Sequence, residues 1–204
     1  MKLLNILILV LLTNISFSQK KKKNNIYPSS TNSIERIEGY KNRISLTENS
    51  IIKNIHFRNI GPTVMSGRVV DLDVNPNDPS HFYVAYASGG LWETKNHGNS
   101  FSPLFDNQMV MTIGDIKVDW ENNIIYVGTG ENNSSRSSYS GNGIYMSNNN
   151  GKTWKNLGLH ESHHIGRIIL HPTNPNTIWV ASLGHLYSPS EERGIYKRSE
   201  EHTS

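Results

Sequence analysis

The sequence predicts an all-β fold made of β-propeller blades of four antiparallel strands, in an incomplete set of about three blades. Two observations predict it. Three segments alternate apolar with polar residues, as half-buried strands do, and each is followed by two further strand-like segments of matching sequence. The equivalent segments recur at intervals of about 40 to 50 residues, which is typical of propeller blades.

Each blade can be followed strand by strand. The alternating first strands lie in Val70–Pro76, Gly114–Trp120 and Gly166–Pro172. The second strands begin at Phe82, Ile124 and Ile178, and the third strands at Gly90, Gly143 and Gly194. Pro, Asn and Asp between the first and second strands of blades one and three favour turns. The predicted blades span residues 66–106, 111–160 and 164–197.

Two similar stretches follow the third strand of blades one and two, TKNHGNSF at Thr94–Phe101 and SNNNGKTW at Ser147–Trp154. Asn and Gly tolerate the positive φ of a tight turn, so each stretch is expected to join strand three to strand four and to do no chemistry. The final aromatic residue is expected to pack against its own blade. The residues given this structural role are Thr94, Asn96, Gly98, Phe101, Ser147, Asn149, Gly151, Thr153 and Trp154.

Both stretches resemble the Asp box, Ser-x-Asp-x-Gly-x-Thr-Trp, of sialidases, sortilin-type propellers and several bacterial glycosidases. They depart from it, since Asn96 and Asn149 replace Asp and Phe101 replaces Trp. The longer run from Ile55 to Lys197, with FRNIGP, ASGGLWETKNHGNSF, YVGTGENN, HHIGRI and GHLYSPSEERGIYK, resembles the first blades of large secreted bacterial proteins. These are BNR-repeat proteins of the glycosyl hydrolase type with a sortilin-like N-terminal propeller. The resemblance implies a partial propeller over residues 55–197, as a fragment of a larger protein.

The segments outside the blades predict export. Residues 1–18 combine a charged start, an apolar run and small residues, which is the pattern of a secretory signal peptide. No Cys is present, so disulfides are excluded. A secreted, periplasmic or cell-surface location is expected, with no membrane span after signal removal. Residues 19–54 are polar and expected to be disordered. Residues 198–204, RSEEHTS, interrupt the third blade and read like a translated sequencing adapter, so they are expected to be an artefactual tail.

The candidate ligand-binding surface is the face that carries the long loops. In a four-stranded antiparallel blade, the loop between strands two and three shares a face with the links between blades. Thr129–Asn142, Ser182–Arg193 and the link His160–His164 lie on this face, and long loops on a rigid scaffold often carry function. The candidate residues are Glu131, Arg136, Tyr139, His163, His164, His185, Glu191 and Arg193. For each, a solvated loop position or a brace between blades is the alternative.

No catalytic residue, metal site or cofactor is predicted. Adjacent His163 and His164 on an extended chain point to opposite sides, and no spaced carboxylate or Cys completes a zinc site. Arg58 lies in a stretch that resembles the Phe/Tyr-Arg-Ile-Pro motif of sialidases, but an Asn intervenes. A second comparison is with xyloglucanase-type twin propellers. Ser88 occupies the position of their catalytic Asp, and a serine cannot act as the acid or base of a carboxylate pair.

The function predicted from these features is a secreted binding or scaffold module for a peptide, a glycan or an adjacent domain. Nucleic acid is not an expected partner, because the net charge of +3 depends on the Lys20–Lys23 run in the polar tail. The alternative is a glycoside hydrolase whose catalytic carboxylates lie largely in blades missing from this chain. Two carboxylates about 5 Å apart, or about 6.5 to 9.5 Å apart, would identify a retaining or an inverting enzyme.

Overall fold

The structure is a computed structural model that describes residues 29–57, 67–133, 138–174 and 177–199; the expected signal peptide lies outside these ranges. Helix α1 (Ser33–Glu48) precedes the strands. The strands are β1 (Val69–Val74), β2 (Phe82–Tyr86), β3 (Gly90–Thr94), β4 (Ser102–Pro103), β5 (Ile113–Asp119), β6 (Ile124–Thr129), β7 (Ile144–Ser147), β8 (Lys155–Gly158), β9 (Ile165–Leu170), β10 (Thr177–Ser182) and β11 (Gly194–Ser199). No helix within the described ranges is both long enough and apolar enough to cross a membrane.

The strands form three antiparallel sheets, with orders β1-β2-β3-β4, β5-β6-β7-β8 and β11-β10-β9. Each sheet is a meander in which sequence neighbours pair, so the predicted all-β fold of incomplete propeller blades is confirmed. The register of the first strand shifts at an equivalent place in each sheet, next to Val70, Gly114 and Gly166. A repeated bulge of this kind bends the innermost strand where the next blade approaches it.

The apolar cores lie between neighbouring sheets. The first core joins Tyr83, Ala85 and Leu91 of sheet one to residues of sheet two and of the link before it, namely Phe105, Ile113, Ile116, Val118, Ile125, Val127 and Tyr145. The second joins Tyr126 and Ile144 to Ile165, Ile168, Ile178 and Val180 of sheet three. Because each core is built from residues of two neighbouring sheets, each blade depends on the next for its stability.

Aspartates on the innermost strands connect one blade to the next. Each carboxylate accepts a hydrogen bond from a backbone N–H of the following blade's first strand. The bonds are Ile116 N to Asp71 Oδ2 (3.2 Å), Val118 N to Asp73 Oδ2 (3.1 Å) and Ile168 N to Asp115 Oδ2 (2.6 Å). Carboxylates on the inner strands β1 and β5 thus satisfy backbone donors of the neighbouring sheet.

The two Asn-Gly stretches join strand three to strand four in sheets one and two, as predicted. In the first, Thr94 Oγ1 accepts from Gly98 N (3.0 Å) and Asn96 Oδ1 accepts from Ser100 N (3.0 Å). The second repeats the pattern, Ser147 Oγ with Gly151 N (2.9 Å) and Asn149 Oδ1 with Thr153 N (2.9 Å). Positive φ falls at equivalent positions of both turns, at His97 and Gly98 in the first and at Asn150 and Gly151 in the second.

The aromatic residues that end these turns differ in their packing. Phe101 packs edge-on against Phe82 of its own blade, at 6.2 Å between ring centroids, as expected. Trp154 instead donates its indole N–H to the carbonyl of Leu104 (2.9 Å) and contacts Phe105 edge-on at 4.9 Å. Trp154 packs against the core shared by sheets one and two, and its hydrogen bond and ring contact involve residues that follow β4 of the preceding sheet.

Helix α1 contradicts part of the disorder expected for residues 19–54. Its N-cap is Asn32, whose side chain accepts the N–H of Ile34 (2.8 Å). The helix is held on the blades by polar contacts, such as the bond from the Tyr40 hydroxyl to the carbonyl of Asn107 (3.3 Å). A polar sequence without a strong apolar stripe can form a helix here because folded blades supply the acceptors.

The last described residues bear on the expected tail. Arg198 and Ser199 are the final residues of β11 and pair with β10. Arg198 also donates from Nη1 to the carbonyl of Leu157 in the preceding blade (3.0 Å). The strand therefore continues past the predicted boundary after Lys197, while residues 200–204 lie outside the described part of the chain.

Candidate functional site

Helix α1 lies on the face that the sequence assigns to ligand binding. Arg36 donates from Nη1 to the carbonyl of Gly141 and from Nη2 to the carbonyl of His160 (2.8 Å). The first N–H of the helix, from Ser33, donates to Glu161 Oε1 (2.7 Å). A carboxylate is favoured at a helix N-terminus, so Glu161 anchors this end of the helix. The helix thus covers part of the blade link that was expected to be open.

A cleft of about 510 Å³ remains beside the first turn of α1. It is lined by Ser30 and Asn32 before the helix, by Glu161 of the blade link, and by His185, Glu191 and Glu192 of the long loop in blade three. Three of these side chains are carboxylates. Volumes of about 300 to 1,000 Å³ are usual for ligand pockets, so the cleft is large enough for a small molecule or a few peptide side chains.

Two histidines from distant parts of the chain meet beside this cleft. The rings of His163 and His185 are 4.0 Å apart between centroids. A ligand atom of each, together with a carboxylate oxygen of Glu161, forms a group whose members all lie within 4.8 Å of one another. Both Nε2 atoms are buried and have no hydrogen-bond partner among the described residues.

The hydrogen bonds of His185 indicate its tautomer. Its Nδ1 lies 3.0 Å from the carbonyl oxygen of Pro189 and 3.1 Å from the hydroxyl of Ser188. A carbonyl only accepts, so Nδ1 carries the hydrogen and donates it to Pro189. The buried Nε2 is then a free lone pair that faces the cluster.

Burial keeps the other two imidazoles neutral at neutral pH. It lowers the pKa of His163 to about 4, and the neighbouring His185 adds to the effect. Burial likewise lowers the pKa of His164 to about 4. Burial raises the pKa of Glu161, but the hydrogen bonds from Ser33 and the charge of Arg36 outweigh it, and the pKa is lowered.

Glu131 and His164 do not face a ligand. They are 1% and 3% exposed. His164 Nδ1 donates to the carbonyl of Glu131 (2.7 Å), and the Glu131 carboxylate pairs with Arg68. Since Arg68 precedes β1, Glu131 follows β6 and His164 precedes β9, this chain of contacts connects all three sheets. Glu131 and His164 are therefore braces between blades, which is the alternative that the sequence analysis gave for each candidate.

The remaining candidates fall into different groups. Arg193 closes its own loop, since Nε donates to Leu183 O (2.8 Å) and Nη2 to His185 O (2.9 Å). Tyr139 and Glu191 are exposed, and only Glu191 of these two lines the cleft. Arg136 lies outside the described residues. Of the eight candidates, the structure therefore brings together His163, His185 and Glu191.

Sequence reasoning missed Glu161, Ser33 and Arg36. The expectation that no carboxylate accompanies the histidines is wrong, because Glu161 lies within reach of both His163 and His185. The available signal is the Glu-x-His spacing in the blade link. No comparable signal identifies Ser33 or Arg36, whose contacts depend on where α1 docks.

Asp115 is a buried carboxyl with a strongly raised pKa. Burial raises its pKa to about 7, and the neighbouring Asp71 adds to the rise, while the N–H of Ile168 and the guanidinium of Arg167 oppose it. In the unfolded chain the same group has a pKa near 3.8. The stability due to this raised pKa is thus present below about pH 4 and is lost as the pH rises through 7.

We expect Asp115→Asn to remove this pH dependence. The amide oxygen can still accept from Ile168 N, and no proton has to be released in the folded protein. The free energy of unfolding of the variant, relative to the parent, should therefore rise between pH 4 and 7. Urea unfolding of both proteins across this range measures it. If the free energies of unfolding of parent and variant change with pH in parallel, Asp115 has an ordinary pKa and the prediction is wrong.

The comparisons with known proteins give structural neighbours only. No protein-family model and no curated protein matches the chain. The chain is similar to an ancestral GH74 enzyme (19% identity, TM-score 0.49, 66% of this chain and 18% of that one). It is also similar to the GH74 enzyme of Niastella koreensis (22%, TM-score 0.49, 64% and 19%). A third is PorZ of Porphyromonas gingivalis, a bacterial surface component of the type-IX secretion system (21%, TM-score 0.46, 63% and 17%). The chain spans less than a fifth of each of these structures.

Proposed function

We propose that this chain is a module of a secreted bacterial protein of the sortilin-like, BNR-repeat type, and that it binds a peptide in the cleft beside α1. The observation that carries the proposal is the cleft itself, where Glu161 of the blade link meets His185 and Glu191 of the long loop in blade three. Concave sites with a few converging polar groups are the usual form of a binding site. The resemblance of residues 55–197 to such secreted proteins supports the location.

The charge of the cleft favours a basic peptide over a glycan or a neighbouring acidic surface. Glu161, Glu191 and Glu192 line it. Two arginines lie close by, and they keep their positive charge although Arg36 donates to carbonyls of the blades and Arg193 to carbonyls of its own loop. The three carboxylates still exceed these two cations by one. An excess of carboxylates attracts Lys and Arg side chains and raises their rate of association.

The length of the surrounding loops also supports binding at this face. Ser182–Arg193 is much longer than its counterpart in blade one, Tyr86–Gly89. Closing a hairpin between two strands needs only a short turn. The extra length forms one wall of the cleft, where it adds carboxylates and His185.

A glycoside hydrolase is the second candidate, and one observation favours it. A pKa of about 7 at Asp115 suits a general acid. However, Asp115 is buried, accepts from Ile168 N and neighbours Asp71 in a contact between blades. This candidate therefore needs catalytic carboxylates from blades missing from this chain, in line with Ser88 at the position of a catalytic Asp.

We expect the double charge reversal Glu191→Lys, Glu192→Lys to weaken binding of basic peptides at least tenfold, which is about 1.4 kcal/mol. Each reversal replaces attraction by repulsion at the wall of the cleft. Fluorescence polarisation with a peptide library that varies in Lys and Arg content measures the affinities. The matched control is Glu121→Lys, an exposed carboxylate in the turn between β5 and β6 on the opposite face.

The outcomes separate the candidate functions. Loss in the double variant with retention in the control supports a basic peptide in the cleft. Equal affinity in all three proteins, or equal loss in both variants, contradicts the proposal. Binding on a glycan array with no peptide binding, or turnover of an aryl glycoside, would favour the second candidate.

A further inference from the structure

We propose that Glu161, His163 and His185 form a binding site for a divalent transition-metal ion, and that Zn²⁺ is the best match. The site lies where the link between blades two and three meets the long loop of blade three. It does not depend on what the cleft binds.

The donor set is the first argument. Two imidazole nitrogens and one carboxylate are ligands that zinc takes in proteins, and this set of three leaves a further position open. The three donor atoms lie within 4.8 Å of one another. Tetrahedral zinc with bonds of about 2.0 to 2.1 Å needs donors roughly 3.4 Å apart. Small rotations of these loop and link side chains can shorten the distances between the donor atoms to that value.

The unsatisfied nitrogens are the second argument. The Nε2 atoms of His163 and His185 are buried, 4.0 Å separates their ring centroids, and neither has a partner within the described ranges. A buried polar atom without a hydrogen-bond partner destabilises the folded chain. A metal ion bound at both Nε2 atoms, after the two rings move apart slightly, would satisfy both atoms at once.

The hydrogen bond behind His185 is the third argument. Histidines that bind metals usually donate their other ring N–H to a carbonyl or a carboxylate, which fixes the ring and raises its basicity. His185 does this through Nδ1, toward the carbonyl of Pro189 at 3.0 Å. The ring is therefore already oriented with Nε2 toward the cluster.

The groups that compete with a metal are also in place. Ser33 N donates to Glu161 Oε1 (2.7 Å), and Arg36 Nη2 lies 3.7 Å from Oε2. The distance to Arg36 is long for an ion pair, because its guanidinium is directed at the carbonyls of Gly141 and His160. Glu161 thus retains oxygen lone pairs for a metal while it anchors α1, since a carboxylate offers about four acceptor sites.

A metal here would join the blade link to the long loop of blade three, and through Glu161 it would act on the first turn of α1. Glu161 contacts the first turn of α1, His163 belongs to the blade link, and His185 belongs to the loop that walls the cleft. Binding should therefore stabilise the folded chain, because an ion that binds the native state alone raises its stability. The fourth coordination position of the metal stays open to a water molecule or to an oxygen atom of a molecule bound in the cleft.

Titration of the full 204-residue chain, produced without a histidine tag and stripped with EDTA, tests the site. Isothermal titration with ZnCl₂ should give one strong site and an increase in melting temperature. His163→Ala, His185→Gln and Glu161→Gln should each weaken this binding at least about tenfold. His97→Gln is the matched control, since His97 is exposed in the first Asn-Gly turn on the opposite face, and it should bind as the parent does.

A spectroscopic measurement with a second metal ion keeps the test decisive. Co²⁺ bound to the parent protein should show the intense visible absorption of a four-coordinate ion and lose it in Glu161→Gln. That variant keeps an amide oxygen as an acceptor for Ser33 N, so it should fold even if His163→Ala does not. Absence of a strong site in the parent, unchanged affinity in the three variants, or equal loss in His97→Gln would overturn the proposal.

Discussion

Replacing Gly114 by Ala is expected to lower the free energy of unfolding by about 3 kcal/mol, at the upper end of the cost of overpacking. A methyl group at this position would overlap the carbonyl oxygens of Ile165 and Gly130. Both obstacles are backbone, so no side chain can rotate away. Gly114 lies next to the register shift in β5, where the first strand of blade three comes closest. The substitution therefore forces blades two and three apart.

Chemical denaturation of the full chain measures this effect, and Gly39→Ala is its control. Gly39 lies inside α1 with no heavy atom within 4 Å of an added methyl group. That substitution should stabilise the chain by about 0.5 to 1 kcal/mol, because Ala loses less conformational freedom in a helix than Gly does. A Gly114→Ala protein as stable as the parent would show that the blades are not in close contact there.

Asp73→Ala is expected to cost about 2 to 4 kcal/mol, through buried donors left without an acceptor. The Asp73 carboxylate is 6% exposed and accepts from Trp120 Nε1 (2.6 Å) and Val118 N (3.1 Å), while Lys117 Nζ lies at 2.7 Å. All three donors belong to the following blade or to the turn after its first strand. Truncation therefore removes one of the connections between blades one and two.

The control for this substitution is Asp78→Ala. Asp78 is exposed and bonds only within its own turn, to the N–H and hydroxyl of Ser80. It should change the free energy of unfolding by about 1 kcal/mol or less. Asp73→Asn, which keeps an acceptor oxygen, should fall between the two alanine variants. Equal effects at positions 73 and 78 would contradict the structural role given to the inner-strand aspartates.

The sheets could be predicted from the sequence because repetition makes each blade support the assignment of the others. The alternation in Val70–Pro76 indicates a strand on its own, and its recurrence before β6 and β10 indicates a blade. The contacts of Trp154 with Leu104 and Phe105 were not predicted, since a strand pattern does not say which neighbouring segment covers an indole. Helix α1 was missed for a different reason. Its contacts are polar bonds to carbonyls of the blades, such as Asn107 and His160, and these leave no apolar periodicity.

The candidate site was predictable only in part. Loop length and strand parity correctly placed His163 and His185 on one face. Their approach to 4.0 Å depends on how the loop closes, which Arg193 fixes through two bonds to backbone carbonyls. Glu131 and His164 were candidates because of their residue types, but both are buried and connect neighbouring blades. Residue type alone cannot separate these outcomes, because the same side chains serve both purposes.

Hydrogen–deuterium exchange of the full chain, with and without a saturating basic peptide, tests most directly whether the cleft beside α1 is the binding site. The account predicts that slowed exchange is confined to residues 29–36, 160–164 and 183–193, which surround the cleft. Protection confined to the opposite face, in the turns at 94–102, 120–123 and 147–154, would contradict it.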